Sequence, residues 1–105
     1  MSTYVLDYAV RIVLATQPQL SDAPAVTRKY VRIGASPRGA QALTLAGRII
    51  ALLDGRLNLA FADVRGIARP ALRHRLMLSF DAQRQGITAD TVIDEVLAHV
   101  PEEPA

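Results

Sequence analysis

Residues 34–55 read GASPRGAQALTLAGRIIALLDG, and the fold follows from how that stretch is parsed. Ser36 followed by Pro37 is a helix opening: the hydroxyl can accept from an unpaired amide of the first turn, and proline's φ suits the first helical position. From there to about Asp54 the chain carries no further proline. Ala42, Leu43, Leu45, Ala46, Ile49, Ile50, Leu52 and Leu53 cover most of the circumference, which predicts a central helix packed on several sides. Gly55 suits a left-handed stop. One residue is electrostatically out of place. Arg38 falls in the first turn and faces the positive end of the helix dipole, a placement disfavoured by ~0.3–1 kcal/mol at an exposed site.

Working outward, residues 4–16 place Val5, Leu6, Ala9, Val10, Ile12 and Val13 at helical spacing, with Asp7 and Arg11 as a polar i, i+4 pair. This predicts a first helix stopped by Pro18. Residues 17–33 (QPQLSDAPAVTRKYVRI) have two prolines and no sustained period, so a long connection is expected, of the kind that is uncommon in compact domains unless functional.

Beyond the central helix, Leu57-Asn58-Leu59 reads as a short extended piece. A helix is expected from Phe61 to Ala68 with Val64 and Ile67 inward, broken or kinked by Pro70, with one more turn at 71–75. Residues 76–80 (LMLSF) are apolar enough to pair with residues 57–59 as a minimal two-stranded piece. Thr88 caps a last helix with Asp90 in its first turn and Val92, Ile93, Val96 and Leu97 as its buried stripe, ended by Pro101. The expected fold class is therefore all-α, a small bundle of four or five helices. Residues 1–101 form the domain and residues 102–105 a solvated tail.

A chain of 105 residues makes one ordinary domain that buries roughly two-thirds of its unfolded surface. Half of it is hydrophobic, but only five residues are aromatic and tryptophan is absent, so the core must be aliphatic. Without cysteine there is neither a disulfide framework nor a thiolate metal site, which suits a reducing cytoplasm. No apolar run approaches the ~18 residues that span a bilayer, and no basic segment leads into an apolar stretch at the N-terminus. The formal charge is +2, with most cations between Arg28 and Arg75. That is too mild by itself to point to nucleic acid.

A self-contained active site is not found. His74 and His99 lack neighbouring carboxylates at ligand spacing, so no metal site is expected and both read as surface or packing residues. There is no glycine-rich phosphate loop and no nucleophile elbow. Asp94 and Glu95 are adjacent on a helix, cannot face each other, and read as solvated charges. What remains is the helix opening, where unpaired amides bind anions and an arginine adds a planar fork suited to phosphate oxygens. An anion would make the placement of Arg38 favourable. Otherwise Arg38 leans into solvent or pairs with a carboxylate such as Asp63.

GASPRG, then a long apolar helix ending in LLDGR, then ADV, LRHRL and TADTVIDEVLAHVP, resembles the C-terminal lid domain of the MoxR family of AAA+ ATPases. The resemblance covers nearly the whole chain. It implies a lid over ATP held by a separate N-terminal nucleotide-binding domain, in a cytoplasmic, ring-forming, chaperone-like machine with neighbouring subunits and a client protein. It also implies that Arg38 is the sensor 2 arginine at the β/γ-phosphates, presented by Ala35, Ser36 and Pro37. Two departures stand out. The family commonly places arginine where this chain has Gln17, a contact then lost or supplied by Arg28 or Lys29. It often has Thr-Pro where this chain has Ala60-Phe61, with Phe61 compensating by packing.

A lid holds no phosphate loop, no magnesium-binding acid and no water-activating residue. The chain alone is therefore expected not to hydrolyse ATP, Mg belongs to the parent protein, and exposed apolar surface including Leu57 and Leu59 is where another domain or subunit docks. The rival reading is a small basic nucleic-acid module of helix-turn-helix or histone-like type. Against it, Arg48, Arg65, Arg69, Arg73 and Arg75 fall on different helical faces. A third reading is an oligomerisation or adaptor domain indifferent to nucleotide.

Overall fold

The computed structural model describes residues 3–20 and 22–102; of the expected tail at 102–105, all but Glu102 lies outside the described residues. In chain order the elements are α1 (Thr3–Leu14), α2 (Ala25–Tyr30), β1 (Val31–Ile33), α3 (Pro37–Leu53), α4 (Phe61–Leu72), β2 (Met77–Leu78), α5 (Phe80–Arg84) and α6 (Ala89–His99). The fold is helical with one small antiparallel sheet.

The core joins α1, α3, α4 and α6. Val5, Tyr8, Ala9, Ile12 and Val13 of α1 meet Leu43 of α3, Val64, Ala68 and Leu72 of α4, and Val92, Ile93 and Val96 of α6. It is aliphatic apart from Tyr8, whose ring takes Phe61 edge-on with centroids 5.3 Å apart. Phe61 thus does pack where a cap is missing. The N-terminus of α4 has no side-chain cap from Ala60, but the Asp63 carboxylate accepts the Ala60 N–H at 2.8 Å.

Four local expectations change. Residues 17–33 are not a structureless connection: Pro24 opens α2, which buries Val26 and Thr27, and β1 follows directly. A six-residue helix is too short to show a period. Second, β2 pairs with β1, Val31 opposite Leu78 and Ile33 opposite Met77, and not with residues 57–59. Leu59 is buried instead, its side chain filling the space that a Cβ on Gly47 would need (2.6 Å).

Third, α4 runs through Pro70 to Leu72, with Arg73 N–H bonding the Arg69 carbonyl at 2.8 Å. Pro70 and Gly66 are both exposed, so the carbonyl that loses its donor lies on the solvent side, where water satisfies it. Fourth, α3 is not enclosed. Its buried residues are Gly39, Leu43, Gly47 and Ala51, a single i, i+4 stripe made mostly of small residues. Leu45, Ile49, Ile50, Leu52 and Leu53 all face outward. Gly55 does take a positive φ, +77°.

Candidate functional site

The helix opening forms as read. Ser36 has extended backbone and its hydroxyl accepts the Arg38 N–H at 3.2 Å, Pro37 occupies the first turn, and the Ser36 carbonyl accepts Gly39 N–H at 2.7 Å. Ala35 is fully buried, while Ser36, Pro37 and Arg38 are exposed. Among the described residues the Arg38 guanidinium has no hydrogen-bond or ion-pair partner. It does not pair with Asp63: that carboxylate is buried and held by Arg56, whose Nη1 and Nη2 donate to Oδ2 and Oδ1 at 2.8 and 2.7 Å. The Arg56 fork, opposed by burial and helped by the Ala60 amide, holds the Asp63 carboxyl below the usual aspartate range, and Asp63 with Asp54 raises Arg56.

Arg38 lines a shallow groove with Gln41, Ala42, Leu45 and Arg75. Arg75 spends its Nε on the Ala71 carbonyl at 3.2 Å and has no acidic partner among the described residues. Two cations with no carboxylate partner among the described residues thus border one groove, an arrangement chemically able to take an anion. Sequence reasoning named Arg75 within LRHRL and among the scattered arginines, but not as a neighbour of Arg38 in one groove. Adjoining it, with Gln41 lining both, a larger groove of about 550 Å³ is bordered by Leu6, Val10, Leu14, Leu20, Pro37 and Ala40.

Among the described residues Arg28, Arg32 and Arg48 likewise lack a carboxylate partner, whereas several other arginines are committed. Arg69 holds Asp94 through both nitrogens of its fork (Nε–Oδ1 2.8 Å), and Arg73 holds Asp90 at 2.8 and 2.9 Å. Asp94 is therefore a paired charge, not merely a solvated one. Each arginine holds its aspartate below the usual range. Arg65 donates to the Tyr8 hydroxyl at 3.0 Å and the Leu97 carbonyl at 3.3 Å, with Glu102 at 4.0 Å. Arg11 pairs with Asp7 at 2.7 Å and ties down the carbonyls of Pro101 and Glu102. His74 and His99 are both exposed, and His99 Nε2 lies 3.2 Å from the Asp22 carbonyl. Among the described residues no group of three or more metal-ligating side chains converges, and no helix is long and apolar enough to cross a membrane.

The loop that presents Arg38 is held from α1. Thr16, fully buried, donates its hydroxyl to the Val13 carbonyl at 2.6 Å and accepts the Ala35 N–H at 3.0 Å. The Gln17 side chain donates to the Ala35 carbonyl. Gln17 thus makes a loop contact of its own, while Lys29 lies over the Tyr30 ring, 5.2 Å from its centroid. Sequence reasoning noted Gln17 only as a departure and passed over Thr16; a threonine two residues before a proline gives no signal of its partner 19 positions away.

Comparison with known proteins bears on the family and the fold. A family model for the AAA lid domain matches residues 23–96. The Chaperone MoxR1 of Mycobacterium tuberculosis is 36% identical over 96 residues, covering 91% of this chain and 26% of that protein. Protein MoxR of Paracoccus denitrificans is 32% identical, covering 93% of this chain and 29% of that protein. The crystal structure of a candidate ATPase from Cytophaga hutchinsonii superposes with a TM-score of 0.89 at 26% identity, over 95% of this chain and 30% of that one. The chain thus spans about a quarter to a third of the length of the proteins it matches.

Proposed function

The chain belongs to the AAA lid domain family, and on that premise we propose that it works as the C-terminal lid of a MoxR-type AAA+ ATPase in which Arg38 is the sensor 2 residue. The observation that carries this reading is the exposed guanidinium of Arg38, placed in the first turn of α3 with no acid against it among the described residues and with Arg75 lining the same groove. A cation at a helix N-terminus is unfavourable without an anion and favourable with one. Nucleotide phosphates supply that anion. When bound, ATP supplies the phosphoryl group; this chain's part is to set a fixed positive charge near the β/γ-phosphates, where charge accumulates as the bond to the leaving group breaks.

In this reading the phosphate loop, the Mg ligands and the water-activating group come from an N-terminal AAA+ domain, and a ring of such subunits couples ATP turnover to work on a client protein in the cytoplasm. The lid's share of the coupling is mechanical, because a lid drawn toward phosphate moves as a rigid bundle. The apolar groove beside Pro37 and the outward leucines of α3 are the surfaces that such a partner domain covers. Arg69 and Arg73, held by α6 carboxylates, are not offered to a polyanion, which weighs for a nucleotide over DNA.

The test is Arg38→Ala in the ATPase that carries this chain. Turnover is expected to fall by roughly 10-fold or more with the lid still folded, as for loss of one charge-stabilising group, and Arg38→Lys to restore only part of it because lysine lacks the planar fork. Unchanged ATPase kinetics in Arg38→Ala would remove the residue from the mechanism.

A further inference from the structure

We infer that Thr16 and Gln17, in the turn that ends the first helix, are positioning residues for Arg38: together they hold the backbone N–H and the carbonyl of Ala35 and so tie the arginine's direction to the end of α1. The inference rests on the sensor reading of Arg38 for its functional meaning, and on geometry alone for its structural content. Thr16 takes the Ala35 N–H on its buried hydroxyl, and Gln17 gives its side-chain N–H to the Ala35 carbonyl. From Ala35 to Arg38 little torsional freedom is left. Ser36 is engaged through its hydroxyl with the Arg38 N–H and through its carbonyl with the Gly39 N–H, and Pro37 has its φ set by its ring.

The preceding residue closes the device. A Cβ on Gly34 would lie 2.8 Å from the carbonyl carbon of Thr16 and closer still to its oxygen, so only glycine lets the loop press directly on the end of α1. The end of α1 is itself fixed from the other side, since Thr27 of α2 donates its hydroxyl to the Ala15 carbonyl at 2.6 Å. Among the described residues no buried side-chain polar atom lacks a partner. Removing the Thr16 hydroxyl would leave the Ala35 N–H as an unsatisfied buried donor, which the loop relieves by moving away from α1.

Two measurements test this. In the chain itself, amide hydrogen exchange at Ala35 is expected to rise by about tenfold or more in Thr16→Val while Leu43 and Val96 keep their protection, with Thr16→Ser restoring the original rate. Gln17→Leu, at a half-exposed position that leaves the core intact, is expected to act in the same direction by a smaller factor. Unaltered exchange at residues 35–38 in both Thr16→Val and Gln17→Leu overturns the inference.

In the ATPase that carries the chain, Thr16→Val is expected to lower kcat by about tenfold with KM for ATP little changed, since misdirecting a charge-stabilising group acts on the chemical step; Thr16→Ser should recover it. Normal turnover in Thr16→Val, alongside a loss in Arg38→Ala, overturns the positioning role and leaves the sensor reading standing. Normal turnover in Arg38→Ala overturns the sensor reading, and the exchange comparison still decides whether Thr16 and Gln17 hold the loop.

Discussion

The seam between α4 and α6 and the outer surface of α1 and α3 are built from similar residue types and treated in opposite ways. At the seam every charge meets a counter-charge, Arg69 with Asp94 and Arg73 with Asp90, above a layer of Val92, Ile93, Val96, Ala68 and Leu72. On the outer surface Leu6, Val10 and Leu14 of α1 and Leu45, Ile49, Leu52 and Leu53 of α3 stand 40–81% exposed, and the Arg38 guanidinium has no partner among the described residues. The same chain satisfies one side internally and leaves the other unsatisfied. Scattered exposed leucines are ordinary, but a helix that buries only Gly39, Leu43, Gly47 and Ala51 while turning five large aliphatics outward has a second packing face.

This contrast can be broken at three depths. The largest effect is expected from Leu43→Ala, which empties the one large buried position of α3 and should cost ~3 kcal/mol in chemical or thermal unfolding of the chain; a loss under about 1 kcal/mol would mean that the inner stripe is not what holds α3. Next comes Asp63→Asn, which takes the charge from the acceptor of three hydrogen bonds, two from Arg56 and one from the Ala60 amide, and leaves a single oxygen to accept them; it should cost ~2 kcal/mol.

The same pair sets an acid limit. The folded-state pKa of Asp63 lies below its ordinary value of 3.8, so its contribution is full above about pH 4 and is lost as pH falls from there through the lowered value. Asp90 and Asp94 act in the same direction. Unfolding midpoints followed from pH 6 to pH 2 should decline only below about pH 4, and Asp63→Asn should flatten that decline. The smallest effect is expected at the outer surface: Leu53→Gln should shift the chain's stability by no more than ~0.5 kcal/mol. A large loss there would show that the outward leucines are part of this chain's own core.

Much of the fold was legible because the relevant interactions are local. The Ser36 cap, the positive φ of Gly55, the Thr88 cap and the α6 stripe all depend on residues within a turn or two of each other, and all four appear as read. The errors came where partners are distant. Nothing near Leu76–Phe80 says that its strand partner is residues 31–33 and not 57–59; that choice depends on where α2 delivers the chain. Pro70 looks like a break, but its consequence depends on whether the freed carbonyl faces water, which is a matter of helix orientation. Phe61 illustrates the middle ground: its role as a packing substitute for a cap could be anticipated, but not that Tyr8 would be the ring it meets.

The candidate site divides in the same way. Arg38, Ser36, Pro37 and Ala35 could be named from six consecutive residues, because a helix N-terminus is a local object and a cation there is anomalous by simple electrostatics. Arg75, Thr16 and Gln17 could not, since they reach that turn only through tertiary packing. The sequence alone therefore determined that the chain is helical, where its long helices begin, and that one arginine sits in the first turn of α3, all consequences of interactions spanning a few residues. Only the tertiary structure decided that Asp63 belongs to Arg56, that half of α3 stays uncovered, and that α1 holds the loop carrying Arg38, because each depends on side chains brought together by the packing of helices far apart along the chain.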